Sequence, residues 1–335
     1  MNTHALFFPN ENQYAVTELT IPEPEADEMC VRTLVSAISP GTERWILRGK
    51  HIGTQFPCVP GYHRIGVVES VGRDMQDFTV GDIVYGSGNR WREQEIHSMW
   101  GAHVGYSVSR PAGYTFLSAK RPDPFELETL SFTVLAAVAN RGIRFLEISR
   151  HEKVMIIGAG IIGFCAAQWA ALRQAHPVLL EKDPARRALA NSLGVPAFSH
   201  DEYDFEPNLT EVAPDGFDAL YDTTGHTPTI DAMVQKMKRG SRLLLQAQYF
   251  DKDRCAIDLD AIKIREITIK TTIGQDQQDM LDAISNIRSR TIRIAPLITH
   301  RLHAPDDLLE GYKLLDTGSE FNLGIVFRWT RESES

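Results

Sequence analysis

The chain has 335 residues, of which 43% are hydrophobic and 24% charged, and its formal net charge at pH 7 is −9. This length exceeds what one hydrophobic core usually supports, so two domains are expected. The acidic balance argues against nucleic acid as a partner, because phosphate backbones bind clustered Lys and Arg.

Cysteine spacing and the ends of the chain indicate the compartment. The cysteines lie too far apart for a disulfide framework or a structural zinc site: Cys30, Cys58, Cys165 and Cys255. The N-terminus, "MNTHALFFPNENQ", lacks a basic stretch followed by an apolar core. The charge-free segment 154–172 has the length of a membrane helix, but its three glycines favour a buried strand, turn and helix. We therefore expect a cytoplasmic protein that does not interact with membranes.

Residues 1–125 are predicted to be rich in β-strands. Short alternating or β-branched segments such as "YAVTELTI", "MCVRTLVSAI" and "RIGVVESV" are separated by Pro, Gly and Asn-Asp clusters. From about residue 126 the pattern changes, and "FELETLSFTVLAAVANRGIRFLEI" predicts one long apolar helix.

Beyond that helix, strands and helices alternate. Strands are predicted near 153–157, 177–181, 218–222 and 242–247. Helix starts and stops are predicted at Asp183 and Gly194, and at Thr227 and Gly240. The alternation predicts a parallel doubly wound sheet over 126–295. Residues 296–335 carry one more helix and a terminal strand, which we expect to return to the first domain, and the tail "RESES" has the composition of a disordered segment.

The segment "KVMIIGAGIIG" predicts a dinucleotide site. Gly158, Gly160 and Gly163 form a G-x-G-x-x-G turn between an apolar strand and an apolar helix. The first glycine permits the tight turn, the second lets the backbone approach a pyrophosphate, and the third lets helix and strand pack closely. The amides of Ile161 and Ile162 at the helix start are predicted to bind the phosphates.

Glu181 ends the next strand, at the spacing expected for the acid that binds the adenosine ribose. Its carboxylate would also oppose a 2′-phosphate, because two unit charges ~4 Å apart cost about 4 kcal/mol at an effective dielectric of ~20. NAD is therefore favoured over NADP. Lys182, Arg186 and Arg187 are the counter-evidence, since they either meet a 2′-phosphate or lie on the helix surface, with Arg186 along the adenine.

The stretch "FDALYDTTG" ends a strand at the carboxyl edge of the sheet, where such folds bind ligands. Thr223 and Thr224 either contact the nicotinamide ribose or stabilise a Thr-Gly turn with their hydroxyls.

Four stretches stand in the order of landmarks of the medium-chain dehydrogenase/reductase superfamily, which the chain resembles over nearly its full length: "VSAISPGTE", "VPGYHRIGVVESVG", "FTVGDIVYG" and "GAHVGYSV". The wording "ISPGTER", with "VPGY" and "LITHR", is most similar to the branch that includes the hydroxyethyl bacteriochlorophyllide a dehydrogenase. The resemblance implies a GroES-like catalytic domain over 1–125 and 296–335, and a Rossmann NAD-binding domain over 126–295.

The positions that bind zinc in this superfamily are altered together. The loop that supplies a Cys has Ser39 or Pro40, the strand that supplies His then Glu has Tyr62 then His63, and the third ligand position falls on Phe132. The four closely spaced Cys of the structural zinc are missing between about 85 and 120. A catalytic zinc needs three protein ligands, so we expect no metal.

Without zinc, hydrogen-bond donors must stabilise the substrate oxygen. The resemblance assigns that role to Tyr62, with His63 as its partner or an alternate base and Thr42 as the relay hydroxyl. The alternatives are that Tyr62 fills the space left by zinc and that His63 is a buried, satisfied histidine. Glu43 is predicted to pair with the neighbouring Arg44.

The residues expected at the substrate are Ser39, Arg44, Trp91, Trp100 and His103. In this family the loops and strands that border the substrate also carry His51, Arg64, Arg90, Arg92 and His97. These cations favour a carboxylate, phosphate or sulfonate on the substrate, unless they simply solvate a surface loop with the nearby Glu residues.

The leading hypothesis is a metal-free, NAD-dependent dehydrogenase that interconverts a secondary alcohol and a ketone in a small-molecule substrate. A zinc-free quinone or enone reductase is one alternative, although such enzymes usually choose NADPH. A nucleotide-binding protein without catalytic activity is the other. The segment "IREITIKTT", 264–272, is predicted to pair across the axis of a homodimer.

Overall fold

The computed structural model describes residues 1–93, 95–250, 256–317 and 321–329. The chain divides into two compact units: unit 1 is Met1–Phe132 with Ile294–Ser335, and unit 2 is Thr133–Arg293. Cys255 and the tail "RESES" lie outside the described residues. Among the helices described, none is both long and apolar enough to cross a membrane.

The strands are, in chain order, β1 Asn2–Phe7, β2 Ala15–Thr20, β3 Met29–Ala37, β4 Cys58–Val59, β5 Arg64–Val71, β6 Ile83–Gly86, β7 His97–Ser98, β8 Tyr106–Ser109, β9 Tyr114–Ser118, β10 Lys153–Ile157, β11 His176–Leu180, β12 Ala197–Phe198, β13 Phe217–Asp222, β14 Met237–Leu245, β15 Thr268–Thr271, β16 Ile298–Ala304 and β17 Gly324–Trp329. The α-helices are α1 Pro40–Leu47, α2 Pro124–Leu130, α3 Thr133–Phe145, α4 Ile161–Leu172, α5 Pro184–Ser192, α6 Phe205–Val212, α7 Thr227–Val234, α8 Leu259–Ile264, α9 Gln277–Arg288 and α10 Leu308–Thr317.

Unit 1 is built on a seven-stranded sheet in the order β16-β17-β3-β5-β6-β9, with β8 paired to β3. The C-terminal segment enters this sheet because β17 pairs antiparallel with the central strand β3. Apolar side chains from both ends of the chain share one core, in which Leu6 and Phe8 pack with Tyr312 and Phe327. The sequence that opens the chain and the sequence that closes it are therefore stabilised together.

Unit 2 is a six-stranded parallel sheet in the order β12-β11-β10-β13-β14-β15. The segment 154–172 forms β10, a glycine turn and α4, as predicted, rather than a single helix. The central strands β11, β10 and β13 end side by side, so the residues that follow them meet at one edge of the sheet. The predicted fold class, a GroES-like β-rich domain with a Rossmann-type parallel sheet, is confirmed.

The prediction of one long apolar helix over 125–148 is wrong, because the chain forms α2 and α3 with a break between them. Hydroxyl side chains end α2: Thr129 Oγ1 donates to the Phe125 carbonyl at 3.1 Å, and Ser131 Oγ donates to the Glu128 carbonyl at 2.7 Å. Such bonds compete with continuation of the helix. The break also falls where unit 1 gives way to unit 2.

One of the two predicted helix stops is confirmed. Asp183 caps α5 by accepting from the Ala185 and Arg186 amides, and Gly194 follows the helix with a φ of +83°. The stop predicted at Gly240 is wrong, since α7 ends at Val234 and Gly240 lies inside β14 with a φ of +75°. Thr227 is the first residue of α7 rather than its cap.

Candidate functional site

The glycine turn of unit 2 has the local geometry of a phosphate-binding loop. Gly158 has a φ of +96°, and a side chain there would meet Thr224 Cγ2 at 2.6 Å. A Cβ on Gly163 would lie 1.9 Å from the Gly158 carbonyl oxygen, whereas a Cβ on Gly160 would meet nothing within 4 Å. Gly158 and Gly163 are thus required by packing, and Gly160 leaves open space into which a ligand can approach the backbone.

Helix α4 begins directly at this open space. Gly160 is its N-cap, and no side chain caps the helix. The first-turn amides, which include those of Ile161 and Ile162, therefore have no side-chain acceptor and present a positive dipole end. The predicted pyrophosphate site fits this arrangement.

Glu181 connects the glycine turn to the start of α5. Its Oε2 accepts from the Ala159 amide at 2.8 Å, and its Oε1 accepts from the Asp183 amide at 2.9 Å. A carboxylate has about four acceptor positions, so two remain for ribose hydroxyls. Glu181 is therefore held by the backbone at the edge of the sheet where the ribose is expected.

The basic residues beside Glu181 differ in their contacts. Arg187 Nη1 donates to the Glu181 and Lys182 carbonyls at 2.9 Å and 2.6 Å, and its Nη2 pairs with Glu202 at 2.5 Å. Lys182 is exposed, and Arg186 is half-buried. Arg187 is thus committed to holding the loop, which removes one of the three cations that argued for a 2′-phosphate.

The turn after β13 is organised by Asp222, which is fully buried. It accepts from the Thr224 and Gly225 amides at 2.9 Å each and from the Tyr249 hydroxyl at 2.6 Å. The Thr224 hydroxyl donates to the same carboxylate at 2.7 Å, and the Thr223 hydroxyl donates to the Ile157 carbonyl at 2.7 Å. Both threonine hydroxyls therefore stabilise the turn, which was the alternative to a ribose contact. Sequence reasoning missed Asp222 and Tyr249 here.

In unit 1 the structure brings Thr42, Tyr62, His63 and Trp100 together, and we call these four residues the Tyr62 cluster. Thr42 Oγ1 donates to the Tyr62 hydroxyl oxygen at 3.4 Å, so the phenolic proton stays available to another acceptor. The Trp100 ring meets the Tyr62 ring edge to face, with centroids 4.4 Å apart at 77°. Burial raises the pKa of Tyr62, and the nearby Glu43 carboxylate adds to that shift. Tyr62 is therefore a protonated phenol at neutral pH.

His63 lies next to the aromatic edge of Tyr85, with ring centroids 5.1 Å apart at 71°. Its Nδ1 is buried and has no hydrogen-bond partner among the described residues. Burial and, to a smaller extent, the neighbouring Arg64 guanidinium lower the pKa of His63 from its ordinary value of 6.5 to about 4. His63 is thus neutral at physiological pH.

The predicted Glu43–Arg44 ion pair is wrong. Glu43 is 1% exposed and accepts from the Ser39 amide at 2.7 Å and from His103 Nε2 at 3.0 Å. The Tyr312 hydroxyl donates to the same carboxylate, while Arg44 Nη2 donates to the Leu315 carbonyl at 2.7 Å. Glu43 turns inward because α1 begins at Pro40 and places it one turn inside, against α10.

His103, predicted to contact substrate, is instead fully buried within this network. Its Nδ1 lies 2.9 Å from Ser36 Oγ, which also accepts from Trp329 Nε1 at 3.0 Å. Ser36, Glu43, His103, Tyr312 and Trp329 form what we call the Glu43 network. The Ser-His-Glu constellation resembles that of a hydrolase, but Ser36 is 0% exposed, so it has no access to a substrate. Residue type alone gave no signal for Tyr312 or Trp329.

Trp91 and Arg64 are also internal. Trp91 is 9% exposed, packs in a core with Leu19 and Ile21, and donates from Nε1 to Ser98 Oγ at 2.9 Å. The prediction that Trp91 lines the substrate is therefore wrong, whereas Trp100 lies against the Tyr62 ring. Arg64 is fully buried, so it does not reach a substrate directly.

Arg90, another cation expected near the substrate, pairs with Glu28 at 2.5 Å. Among the residues predicted at the substrate, Ser39 is buried with its amide bound to Glu43, and Arg44 remains half-buried at the surface of α1. Helix α1, which carries Thr42 of the Tyr62 cluster, also carries Arg44, and Arg48 is its C-cap residue.

The zinc positions of unit 1 do not offer a zinc donor set. Phe132 is apolar and fully buried, Tyr62 is a neutral phenol, and both oxygens of Glu43 already accept hydrogen bonds. His63 is the only imidazole in the Tyr62 cluster. Within the described ranges, no group of three or more His, Cys, Asp or Glu is placed to hold a metal ion. These side chains therefore do not fit a catalytic zinc.

Two family models match the chain in the order that the fold suggests. Residues 25–119 match the alcohol dehydrogenase GroES-like domain, and residues 162–289 match the zinc-binding dehydrogenase domain. Together they span more than half of the chain. The chain belongs to the medium-chain dehydrogenase/reductase superfamily.

Relatives within the superfamily are distant but of full length. The chain is 24% identical over 340 residues to the L-threonine 3-dehydrogenase of Aeromonas hydrophila, covering 94% of this chain and 96% of that protein. An alcohol dehydrogenase from Escherichia coli CFT073, complexed with NADH, superposes with a TM-score of 0.81 at 17% identity, covering 98% and 99% of the two chains. A candidate zinc-binding dehydrogenase from Sinorhizobium meliloti 1021, bound to NADP, gives 0.80 at 19% identity over 98% and 99%. The chain is thus an oxidoreductase of the medium-chain dehydrogenase/reductase type.

Proposed function

We propose that this protein is a metal-free, NAD(H)-dependent dehydrogenase that interconverts a secondary alcohol and a ketone, with Tyr62 as the proton donor to the substrate oxygen. One observation carries the proposal: a zinc-ligand position holds a protonated phenol whose oxygen is bound by the Thr42 hydroxyl. The name of the Aeromonas relative, a dehydrogenase acting at carbon 3 of threonine, supports a secondary alcohol as the reacting group.

The nicotinamide cofactor, when bound, supplies or accepts the hydride. Tyr62 donates a hydrogen bond to the carbonyl oxygen and stabilises the negative charge that develops there, which is the role that a Lewis-acid zinc ion plays in metal-dependent enzymes. Its raised pKa keeps the proton on the phenol until that charge appears. The Thr42 hydroxyl donates a hydrogen bond to the phenolic oxygen. It is therefore the group from which Tyr62 regains its proton.

His63 is assigned a secondary role. A histidine with a pKa of about 4 does not carry a proton at neutral pH and so does not act as the acid in ketone reduction. It remains a hydrogen-bond acceptor beside Tyr62, with ring centroids 6.3 Å apart.

NAD is the proposed cofactor. Glu181 is fixed by the Ala159 and Asp183 amides, and its charge opposes a 2′-phosphate. The engagement of Arg187 with Glu202 supports the same choice, because that guanidinium is no longer available to a phosphate.

The substrate is proposed to carry an anionic group. Support comes from α1 and the turn after it, where Arg48 and Lys50 lie over the Trp45 ring at 6.0 Å and 5.4 Å and Arg44 lies on the same helix. The acid in this segment, Glu43, is buried and committed elsewhere, so the surface of α1 is cationic in an otherwise acidic protein.

The test is to measure tryptophan quenching by NADH and by NADPH, and then NADH oxidation with a panel of ketones and enones that do or do not carry a carboxylate. We expect NADH to bind more tightly and ketones to be reduced in the presence of a chelator. Turnover of enones alone would favour the reductase alternative, and binding without any turnover would favour a nucleotide-binding protein. Activity that chelators abolish and added zinc restores would contradict the metal-free mechanism.

A further inference from the structure

Arg64 is a buried cation with no acidic partner. It lies at the start of β5, is 0% exposed, and has no carboxylate within ion-pair distance among the described residues. Charged residues are almost never fully buried unless they are paired. The guanidinium donates instead to two backbone carbonyls, those of Gly101 and Gly88, at 2.9 Å each. The hydroxyls of Ser107 and Tyr114 accept from the same group.

These two carbonyls close the loop that runs from Gly88 to Gly101. Asn89 also binds the Gly101 end of the loop. Its Nδ2 donates to the Gly101 carbonyl at 3.0 Å and to the Trp100 carbonyl at 3.3 Å. A Cβ on Gly101 would lie 2.0 Å from Asn89 Nδ2, so the contact depends on a glycine. Arg64 and Asn89 therefore converge on the Trp100–Gly101 peptides.

Trp100 has a φ of +65°, in the left-handed region. Bulky residues rarely adopt this conformation, and it persists only where the surroundings hold it. The Trp100 carbonyl, which accepts from Asn89, and the Gly101 carbonyl, which accepts from Asn89 and Arg64, directly follow the Trp100 Cα and supply that restraint.

The strained conformation directs the Trp100 ring at Tyr62. Their centroids are 4.4 Å apart at 77°, and the His51 ring lies on the same indole at 5.5 Å and 74°. Thr42 bonds to the Tyr62 hydroxyl. The phenol is thus fixed by a hydroxyl at its oxygen and by an indole against its ring.

We propose that Arg64 is a positioning residue for Tyr62, acting through the Gly88 and Gly101 carbonyls and the left-handed Trp100. The inference rests on the proposed role of Tyr62 as proton donor. Lysine should not replace Arg64, because one ammonium does not reproduce the planar fork that reaches both carbonyls. The glycine turn that binds the cofactor lies in unit 2, so the affinity for NADH should be unaffected.

The experiment compares Arg64→Met, Arg64→Lys and Asn89→Ala with the control Arg32→Met. Arg32 is a good match because its side chain is 11% exposed in the same sheet but pairs with Glu69, away from the loop. The proteins are labelled in separate preparations with 5-fluorotryptophan and 3-fluorotyrosine for fluorine NMR. The resonances of Trp100 and Tyr62 are assigned with Trp100→Phe and Tyr62→Phe.

Arg64→Met and Asn89→Ala are expected to shift or broaden the Trp100 and Tyr62 resonances while those of Trp169 and Trp329 stay in place. The kcat for ketone reduction should fall on the order of 10–100-fold, with the Kd for NADH unchanged. Arg32→Met should leave both resonances and kcat unchanged. If Arg64→Met does not fold, Asn89→Ala gives the answer alone.

Unchanged Trp100 and Tyr62 resonances in folded Arg64→Met or Asn89→Ala protein would overturn the inference. A shift of both resonances with a native kcat would overturn it as well. Failure of the proposed function is seen separately, as absence of turnover by the unsubstituted protein. In that case the resonances still decide whether Arg64 positions Tyr62.

Discussion

At the scale of single residues, Tyr62 carries the chemical proposal. Tyr62→Phe keeps the ring that packs against Trp100 and removes only the hydroxyl. We expect kcat for ketone reduction to fall on the order of 10²-fold, the usual contribution of a positioned proton donor, with NADH binding unchanged. Steady-state kinetics and fluorescence titration measure the two quantities. Thr42→Val is the companion variant, and its kcat should fall less because the phenolic proton is retained. A native kcat in Tyr62→Phe would mean that the Tyr62 ring only fills space.

His63 should make the stability of the protein depend on pH. Its pKa in the folded protein is about 4 against an ordinary 6.5, so the unfolded chain takes up the proton first as the pH falls. The stabilisation is therefore complete above pH 6.5 and is lost on acidification towards pH 4. At about 1.4 kcal/mol per pKa unit, the difference between 6.5 and about 4 amounts to at most about 3.5 kcal/mol, and to less because His63 as a whole is only half-buried.

The measurement is urea unfolding of the unsubstituted protein and of His63→Phe at several values between pH 4 and pH 7.5. The difference in unfolding free energy between the two proteins isolates His63 from the carboxylates that also titrate. We expect the curve of His63→Phe to be flatter in this range. Parallel curves for the two proteins would show that the imidazole is as well solvated in the folded state as in the unfolded one.

The residues that the sequence misplaced share a physical cause. Trp91, Arg64 and His103 were expected at the substrate because the family resemblance places them on loops and strands that border it. Each is instead buried with specific acceptors: Ser98 for Trp91, two carbonyls for Arg64, and Glu43 with Ser36 for His103. Internal partners of polar residues can lie far apart along the chain: Glu43 and His103, for example, are separated by 60 residues. Residue spacing in the sequence does not predict such contacts.

At the scale of secondary-structure elements, the glycine turn and the strand that follows it were predictable because the chemistry is local. A Cβ on Gly163 would clash with the Gly158 carbonyl oxygen only five residues earlier, and Asp183 and Gly194 delimit α5 by capping rules that act over one turn. The split between α2 and α3 was not predictable from apolar periodicity, since the hydroxyls of Thr129 and Ser131 end the helix without interrupting the apolar pattern.

The β11–α5 connection should decide the choice of cofactor. Glu181→Gln keeps an acceptor for the Ala159 amide and removes the charge that opposes a 2′-phosphate. We expect the ratio of Kd for NADP to Kd for NAD to fall at least about tenfold, which corresponds to 1.4 kcal/mol. Glu181→Ala should in addition weaken NAD itself, because the ribose acceptor is lost.

Fluorescence titrations with NADH and NADPH give these constants. Glu206→Gln serves as the control: Glu206 is an exposed carboxylate on α6 in the same unit, and its ion pair is with Lys236 rather than with the glycine turn or Arg187. A ratio that is the same in Glu181→Gln and in the unsubstituted protein would remove Glu181 from cofactor selection.

At the scale of the whole molecule, both ends of the chain belong to unit 1, and the Glu43 network is the polar part of that connection. Trp329 on β17 and Tyr312 on α10 reach Ser36 on β3 and Glu43 on α1. The apolar strand patterns predicted a β-rich domain correctly. The place of the C-terminal segment in that domain is fixed by the pairing of β17 with β3 and by these buried hydrogen bonds.

The sheet of unit 2 ends in β15, whose Ile269 is 42% exposed. This exposure keeps open the prediction that the segment pairs across a homodimer axis. The alternation of apolar and polar residues in "IREITIKTT" predicted the strand. The strand order of the sheet shows that it lies at the edge.

Tyr312→Phe should show how much the Glu43 network contributes to stability. The substitution keeps the ring, which packs edge to face on Phe8, and removes the hydroxyl that donates to a fully buried carboxylate. Leaving a buried charged acceptor short of a donor costs about 1–3 kcal/mol. We expect a loss of that size in the free energy of unfolding, measured by urea denaturation with a probe in unit 1 such as Trp329 fluorescence.

Tyr203→Phe, at a tyrosine fully exposed in unit 2, is the control and should leave the free energy of unfolding unchanged. An unchanged free energy of unfolding in Tyr312→Phe would show that the hydroxyl adds nothing to the stability of the Glu43 network.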